Sequence, residues 1–309
     1  MNEPLTVYTR ADLEELGMTD RAIRKAVAEG RAHRIRPGAF VKASEWRAAH
    51  SEQRQRAGAQ AALQAARGRP VFAGVTAAAV QGLPLFRERD DRVHVLAGAS
   101  RAAAANAFVV RHEAPLDDQD VVDVDGMLVT SLDRTVFDLI RVMRPEAGVA
   151  LTDAALRLVP VEHEFRDRLR ERIARAPGAR GIRRARIVAD FADSRADSPG
   201  ESASRWFLHV LGFRVIRLQV HFLGPDGSDL WVDFGFKKGH GEFDGASKYT
   251  DPHFLRGRTP EQALIDEKRR EDWLRGITQE PFARWMDRDM PNARALGARL
   301  ASFGIHPDE

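Results

Sequence analysis

The segment LWVDFGFKKGHGEFDG, residues 230–245, decides the predicted fold of the C-terminal part of the chain. Side chains of a β-strand point alternately to its two faces, and the first half of the segment alternates in this way, with four apolar side chains on one face. A short turn follows, and the chain returns as a second strand in which Phe243 faces the core. Antiparallel pairing across the turn therefore predicts that Asp233, Glu242 and Asp244 share the opposite surface of the sheet.

Three carboxylates on one sheet surface predict a positive group between them, because like charges at that distance repel. A divalent cation such as Mg²⁺ binds the oxygens of one or two carboxylates together with phosphate and water. A metal held in this way can activate water for phosphodiester cleavage. We therefore predict Asp233 and Glu242 as the ligands of a Mg²⁺ ion, with Asp244 assisting.

The residues before this segment predict a helix and a first strand. Ser198-Pro199-Gly200-Glu201 begins the helix, apolar residues at helical spacing continue it, and Gly212 ends it. Residues 213–220 then alternate like a strand. Glu201 stands three residues after Ser198, which suits a capping box, and a helical glutamate at this point could also support the metal. Both roles stay open for Glu201.

The N-terminal residues 9–42 predict two short helices followed by a hairpin. Leu13 and Leu16 would form the apolar face of the first helix, and Thr19 caps the second. Pro37-Gly38 suits the two central positions of a type II turn between short strands. This order is typical of a winged helix-turn-helix, whose second helix enters the major groove of DNA.

Basic residues are concentrated in this part of the chain. Residues 19–42 contain seven basic and two acidic side chains, although the net charge of the chain is only +3. Such a local excess fits contacts to phosphates. The predicted contacts to double-stranded DNA are Arg21, Arg24, Lys25, Arg31, Arg34 and Arg36. The alternative is a hairpin that docks a protein partner. A second basic segment, residues 162–186, is more simply a solvated helix face.

The middle of the chain predicts a mixed domain of short strands and helices. A long helix would extend from Ser44 to about Arg67, and Asp125-Gly126 would join the two strands of a hairpin. The next helix carries Asp133 and Arg134 in its first turn. These two residues could carry chemistry, but a local ion pair at the start of the helix is the simpler interpretation.

Composition narrows the class of protein. The 309 residues include no cysteine, which excludes a disulfide framework, a thiolate metal site and a cysteine nucleophile. No stretch approaches the roughly 18 apolar residues that a membrane span needs, and the N-terminal residues lack the pattern of a signal peptide. We therefore expect a cytoplasmic protein without a membrane partner.

The C-terminal pattern resembles the PD-(D/E)XK nucleases. That plan places a helix, a strand, an Asp, a turn and a Glu in this order, and implies that the helical Glu201 supports a metal held by Asp233 and Glu242. A lysine two residues after the Glu orients the attacking water in these enzymes, but Asp244 stands there in this chain. Vsr-like relatives also replace this lysine. The resemblance then implies Lys248 or Lys268 as the source of the ammonium group.

Over residues 5 to 300 the chain also resembles actinobacterial proteins with an AbiEi-family antitoxin domain of type IV toxin–antitoxin systems. The C-terminal motifs are fairly specific, whereas the winged-helix match is generic. The resemblance implies a DNA-binding regulator with an antitoxin role for the N-terminal part, and a toxin partner would be a separate nucleotidyltransferase-like protein. The matching segments are residues 31–40, 93–95, 129–135, 198–202, 241–245, 248–249 and 267–272.

These observations predict an α+β protein with four parts. They are a winged helix-turn-helix (1–43), a mixed α/β middle domain (44–160), a basic helix and linker (161–197), and a restriction-endonuclease-like mixed sheet flanked by helices (198–309). The predicted function is DNA binding, as in a regulator or antitoxin, with a C-terminal nuclease-like site that is degenerate or auxiliary. The alternative is a Mg²⁺-dependent DNA endonuclease that its winged helix targets. A third interpretation is an interaction module that retains the nuclease fold for its surface.

Overall fold

The computed structural model describes residues 4–96, 107–245 and 259–308. Helices and three antiparallel or mixed sheets make up these residues, so the predicted α+β class is confirmed. Within the described residues, no helix combines the length and the apolar character needed to cross a membrane.

The helices and strands have the following bounds. The α-helices are α1 (Arg10–Glu15), α2 (Asp20–Ala28), α3 (Ala43–Ala48), α4 (Ser51–Ala65), α5 (Gly74–Val80), α6 (Leu132–Ile140), α7 (Pro145–Leu158), α8 (Glu162–Ala174), α9 (Ile182–Phe191), α10 (Pro199–Val210), α11 (Pro260–Thr278) and α12 (Ala293–Ala301). The strands are β1 (Tyr8–Thr9), β2 (Ala32–Arg36), β3 (Ala39–Lys42), β4 (Val71–Phe72), β5 (Val93–Leu96), β6 (Val109–His112), β7 (Val121–Val124), β8 (Met127–Thr130), β9 (Arg217–Leu223), β10 (Asp229–Gly235), β11 (His240–Phe243) and β12 (Phe282–Trp285).

The chain divides into two compact units. The first consists of Met1–Met143 with Leu158–Asp190, and the second of Arg144–Arg157 with Phe191–Glu309. The second unit therefore includes nearly all of α7 in addition to the C-terminal part of the chain.

The first unit begins with the predicted helix, helix and hairpin. Thr9 and Thr19 cap α1 and α2 with their side chains, and strands β1, β3 and β2 form a three-stranded sheet in this order. The prediction of an apolar face for α1 was wrong for Leu16, whose side chain is 68% exposed. Because α1 has only six residues and none of them is buried, this helix contributes little to the core.

The rest of the first unit is built on a five-stranded sheet in the order β6-β5-β4-β8-β7. Its core packs side chains of β4, β5 and β8 against α4 and α5, including Phe72, Val95 and Val129. The predicted hairpin at Asp125-Gly126 is confirmed as β7 and β8.

The single long helix predicted from residue 44 to residue 67 was wrong, because the chain breaks between α3 and α4. Ala49 and His50 have extended backbones, and the His50 N–H donates to the Gln53 side chain at 3.0 Å, which starts a new helix.

The second unit contains a four-stranded sheet in the order β12-β11-β10-β9. Strands β9, β10 and β11 pair antiparallel, whereas β12 pairs parallel with β11. A parallel neighbour requires a crossover, and α11 lies in the chain between these two strands. Val232, Leu274 and Phe282 pack together where α11 covers the sheet.

Helix α10 begins directly against β11. A Cβ atom on Gly200 would lie 2.0 Å from Cε1 of the Phe243 ring, so only glycine fits there. The Trp285 Nε1–H donates to Oγ of Ser204 at 2.8 Å, which joins α10 to β12. The Ser198-Pro199-Gly200-Glu201 segment is thus held against the sheet that carries the predicted carboxylates.

Candidate functional site

The carboxylate pair predicted at the β10–β11 turn lies at the predicted register. Phe234 pairs with Gly241 and Gly235 with His240, and one residue further along the same register Asp233 is next to Glu242. The Asp233 carboxylate accepts the Phe243 backbone N–H at 2.8 Å. The side chain of Asp233 therefore takes a hydrogen bond from strand β11 itself.

Glu242, which the sequence predicts as a metal ligand, is deeply buried. Its side chain is 2% exposed, and all four residues of β11 are buried. One carboxylate oxygen of Glu242 accepts from Arg270 at 2.6 Å, and the other lies 3.5 Å from Arg284. The sheet surface that the sequence assigns to a metal is thus covered by arginine side chains.

Arg284 lies close to carboxylates from three parts of the second unit. It stands opposite Glu242 in the parallel β11–β12 pair. Its Nη2 atom lies 2.6 Å from Glu267, 2.9 Å from Asp244 and 3.5 Å from Glu242. Nη1 donates to Glu271 at 3.3 Å. A single guanidinium therefore neutralises several acidic groups.

Arg270 completes this ionic cluster from α11. It pairs with Glu267 at 3.2 Å in addition to Glu242, and it donates to the Trp231 carbonyl of β10. Arg270 therefore points from α11 toward the sheet. Sequence reasoning missed Arg284 altogether. The available signal was a single charged side chain inside the apolar strand Phe282–Trp285.

Both guanidiniums remain charged. Burial alone would lower the pKa of Arg284, but the negative charges of Glu267, Asp244 and Glu242 raise it above its ordinary value. Burial would also lower the pKa of Arg270, but the hydrogen bond to Glu242 and the charge of Glu242 raise it above its ordinary value. The positive charge that Glu242 and Asp244 require is therefore supplied by the chain.

Glu201 is 7% exposed and lies at the start of α10. Its backbone N–H donates to the Ser198 side chain at 3.2 Å, as a cap requires. Its carboxylate accepts from the Asp197 N–H at 3.0 Å and from Gln219 at 3.1 Å. These contacts fix the helix start to the preceding linker and to β9, which agrees with the capping role.

The two lysines that could supply the ammonium group, Lys248 and Lys268, differ in whether the structure describes them. Lys268 lies on the solvent side of α11 and is exposed, whereas Lys248 lies outside the described residues. In the part of the chain that the structure describes, no group of three or more His, Asp or Glu side chains is placed to hold a metal ion. The described donors do not fit Mg²⁺, because Glu242 and Asp244 already bind guanidinium groups.

The predicted DNA contacts lie on α2 and on the hairpin, and five of the six are exposed. Arg24 and Arg34 line a cleft of about 340 Å³ between α2 and the β2–β3 hairpin. Within the described ranges, no carboxylate lies within ion-pair distance of Arg21, Arg24 or Arg34. Three positive charges on this surface thus remain available to a ligand.

The other three predicted contacts are already engaged. Arg31 and Lys25 pair with Glu29 at 2.6 and 3.7 Å. Arg36 is half-buried and donates to the Ala61 carbonyl of α4 at 3.1 Å. Arg36 therefore anchors the hairpin to α4.

The arginines of α8 and of the middle domain form structural ion pairs. Asp133 and Arg134 do not pair with each other, but Arg134 forms the predicted local ion pair with Asp138 of the same helix. Arg134 binds Asp120 at 2.8 Å and Asp138 at 2.7 Å, while Asp133 binds Arg172 of α8. Each arginine of α8 forms an ion pair: Arg166 with Glu162, Arg168 with Glu164, Arg170 with Asp167, and Arg172 with Asp120 and Asp133.

Comparison with known proteins gives partial matches. No family model matches the chain. The chain is similar to the uncharacterized proteins MT2308 and Rv2248 of Mycobacterium tuberculosis, from strains CDC 1551 / Oshkosh and ATCC 25618 / H37Rv respectively. Each is 34% identical to it over 114 residues, which covers 37% of this chain and 41% of the relative. The matching region thus spans about two fifths of the length of these relatives.

Proposed function

We propose that the chain is a DNA-binding protein of the regulator or antitoxin type, which contacts double-stranded DNA through α2 and the β2–β3 hairpin. The observation that carries this proposal is the set of exposed arginines without a carboxylate partner among the described residues, Arg21, Arg24 and Arg34. Phosphate contacts need such available positive charges. The order of α1, α2 and the hairpin supports a winged helix-turn-helix, in which α2 would enter the major groove.

The C-terminal unit is, in this proposal, a nuclease-like domain that does not cleave DNA. Its helix, strands, Asp233, turn and Glu242 follow the order of the PD-(D/E)XK plan. Glu242 and Asp244, however, bind the guanidinium groups of Arg270 and Arg284. The proposal also includes a toxin partner, and the only support for this partner is the resemblance of the chain to AbiEi-type antitoxins.

Binding to the DNA upstream of its own gene tests the first part. Neutralising Arg24 and Arg34 to Ala should weaken binding and lower the slope of log K against log salt by about one for each phosphate that the variant no longer neutralises. Arg31→Ala is the matched control, since Arg31 already pairs with Glu29. Unchanged affinity and slope in the Arg24→Ala/Arg34→Ala variant would show that the DNA-binding surface lies elsewhere in the chain.

A Mg²⁺-dependent endonuclease is the second candidate, and the adjacency of Asp233 and Glu242 on the sheet is the observation that favours it. Cleavage of single- and double-stranded DNA with Mg²⁺ or Mn²⁺ separates the two candidates. If the wild type cuts DNA and Glu242→Ala does not, the chain is a metal-dependent endonuclease. A folded protein that binds DNA and leaves it intact would favour the regulator.

A further inference from the structure

Three carboxylates converge on one nitrogen atom in the second unit. Nη2 of Arg284 has oxygens of Glu267, Asp244 and Glu242 at 2.6, 2.9 and 3.5 Å. These oxygens come from a helix, from the residue after a strand and from the strand itself. Several carboxylate oxygens directed at one point are the arrangement that a hard divalent cation uses.

The guanidinium of Arg284 does not satisfy all the hydrogen-bonding atoms at this point. Oε2 of Glu242 and Nε of Arg284 are both buried and find no hydrogen-bond partner among the described residues. A buried polar atom without a partner is costly, and Glu242 is 2% exposed. The charge of the site is therefore satisfied, while its hydrogen-bonding capacity is not.

We propose that the guanidinium of Arg284, assisted by Arg270, takes the place of a divalent cation in a site formed by Glu242, Asp244 and Glu267. In the native chain the guanidinium of Arg284 occupies this position, and a metal ion therefore does not bind there. Removing Arg284 takes away the guanidinium between Glu242, Asp244 and Glu267, while Arg270 still binds Glu242 and Glu267 from one side, and opens the position of the guanidinium to Mn²⁺ or Mg²⁺. This inference concerns the second unit alone and does not depend on DNA binding by the first.

Binding of Mn²⁺ to the full chain, measured by electron paramagnetic resonance and calorimetry, tests the proposal. Arg284→Ala should bind one Mn²⁺ at least roughly tenfold more tightly than the wild type. The additional change Glu242→Gln should abolish this gain. Arg294→Ala is the matched control: Arg294 is an exposed arginine of α12 with no ion pair to a described residue, and its removal should change nothing.

Thermal unfolding provides a second measurement, because Arg284→Ala removes the positive charge that Nη2 places among Glu242, Asp244 and Glu267. Mn²⁺ should raise the Tm of Arg284→Ala, and of Arg284→Met, which retains an apolar stem, but not that of the wild type. Binding of Mn²⁺ by the wild type in a Glu242-dependent manner would overturn the proposal. Failure of both variants to bind Mn²⁺, whether they are folded or remain unfolded in its presence, would overturn it as well.

Discussion

Glu242 on β11 and Arg284 on β12 stand directly opposite each other in a parallel strand pair, with 3.5 Å between Oε2 and Nη2. This pairing explains why β11 can be buried on both faces while it carries a carboxylate. One face packs Phe243 against Gly200, and the other is covered by the two arginines that bind Glu242. The same contacts that neutralise the carboxylate join β12 and α11 to the centre of the sheet.

Loss of Arg284 should therefore destabilise the second unit strongly. Removing one partner of a buried ion pair costs about 3–5 kcal/mol. Arg270 still binds Glu242 in Arg284→Ala, so we expect a loss of about 3 kcal/mol in the free energy of unfolding of this variant. Urea denaturation without metal measures it. Arg294→Ala should remain within about 0.5 kcal/mol of the wild type.

The double variant Glu242→Gln/Arg284→Met provides the complementary test. It removes both charges while retaining similar side-chain volumes, so its loss of stability should be clearly smaller than that of Arg284→Ala. A double variant that is less stable than Arg284→Ala would show that the charge of Glu242, left without Arg284, is not the cause of the loss in Arg284→Ala.

Gly200→Ala should also destabilise the second unit, because its Cβ would collide with the Phe243 ring. Overpacking of a well-packed core costs about 1–3 kcal/mol. Gly276→Ala is the matched control in α11, since a Cβ there meets nothing within 4 Å. It should stabilise by about 0.5–1 kcal/mol through helix propensity. Thermal unfolding of the two variants checks the opposite signs.

The sequence predicted those features that local patterns encode. The cap at Thr19, the turn at Asp125-Gly126 and the β10–β11 register each depend on residues close together in the chain. Asp233 and Glu242 could be placed side by side for this reason.

The partners of these carboxylates could not be predicted in the same way. Arg284 reaches Glu242 only because β12 joins the sheet in parallel after the crossover helix α11. No short period in the sequence specifies that neighbour or its register. A metal ion and a guanidinium both satisfy the same acidic pattern, and only the tertiary structure distinguishes them.

Arg34 and Arg36 lie two residues apart in the hairpin but should respond differently to substitution. Arg34 is exposed at the cleft beside α2, so Arg34→Ala should weaken DNA binding and leave stability within about 0.5 kcal/mol. Arg36 donates to the Ala61 carbonyl, so Arg36→Ala should lower stability by about 1 kcal/mol or more. Urea denaturation and a DNA-binding titration of both variants separate the roles. Equal losses of affinity without loss of stability would contradict the anchoring role of Arg36.

His94 should make the stability of the first unit depend on pH. Burial lowers the pKa of His94 below its ordinary 6.5, although the nearby Asp90 carboxylate opposes this effect. The unfolded chain therefore binds a proton more readily than the folded chain does. The stability contribution is complete above the unfolded pKa and is lost as pH falls from that value toward the folded pKa.

The geometry around His94 adds to this effect. Its Nδ1 lies 2.9 Å from Nε2 of His112, and its Nε2 lies 3.2 Å from Asp90. If both imidazoles were protonated, two N–H groups would face each other across the first contact, so one ring must stay neutral for this hydrogen bond to persist. We expect the urea midpoint of the wild type to fall between pH 7 and pH 5 by more than that of His94→Gln. His163→Gln, a change at an exposed histidine of α8, should follow the wild type. Parallel pH profiles for wild type and His94→Gln would show that this histidine does not couple folding to protonation.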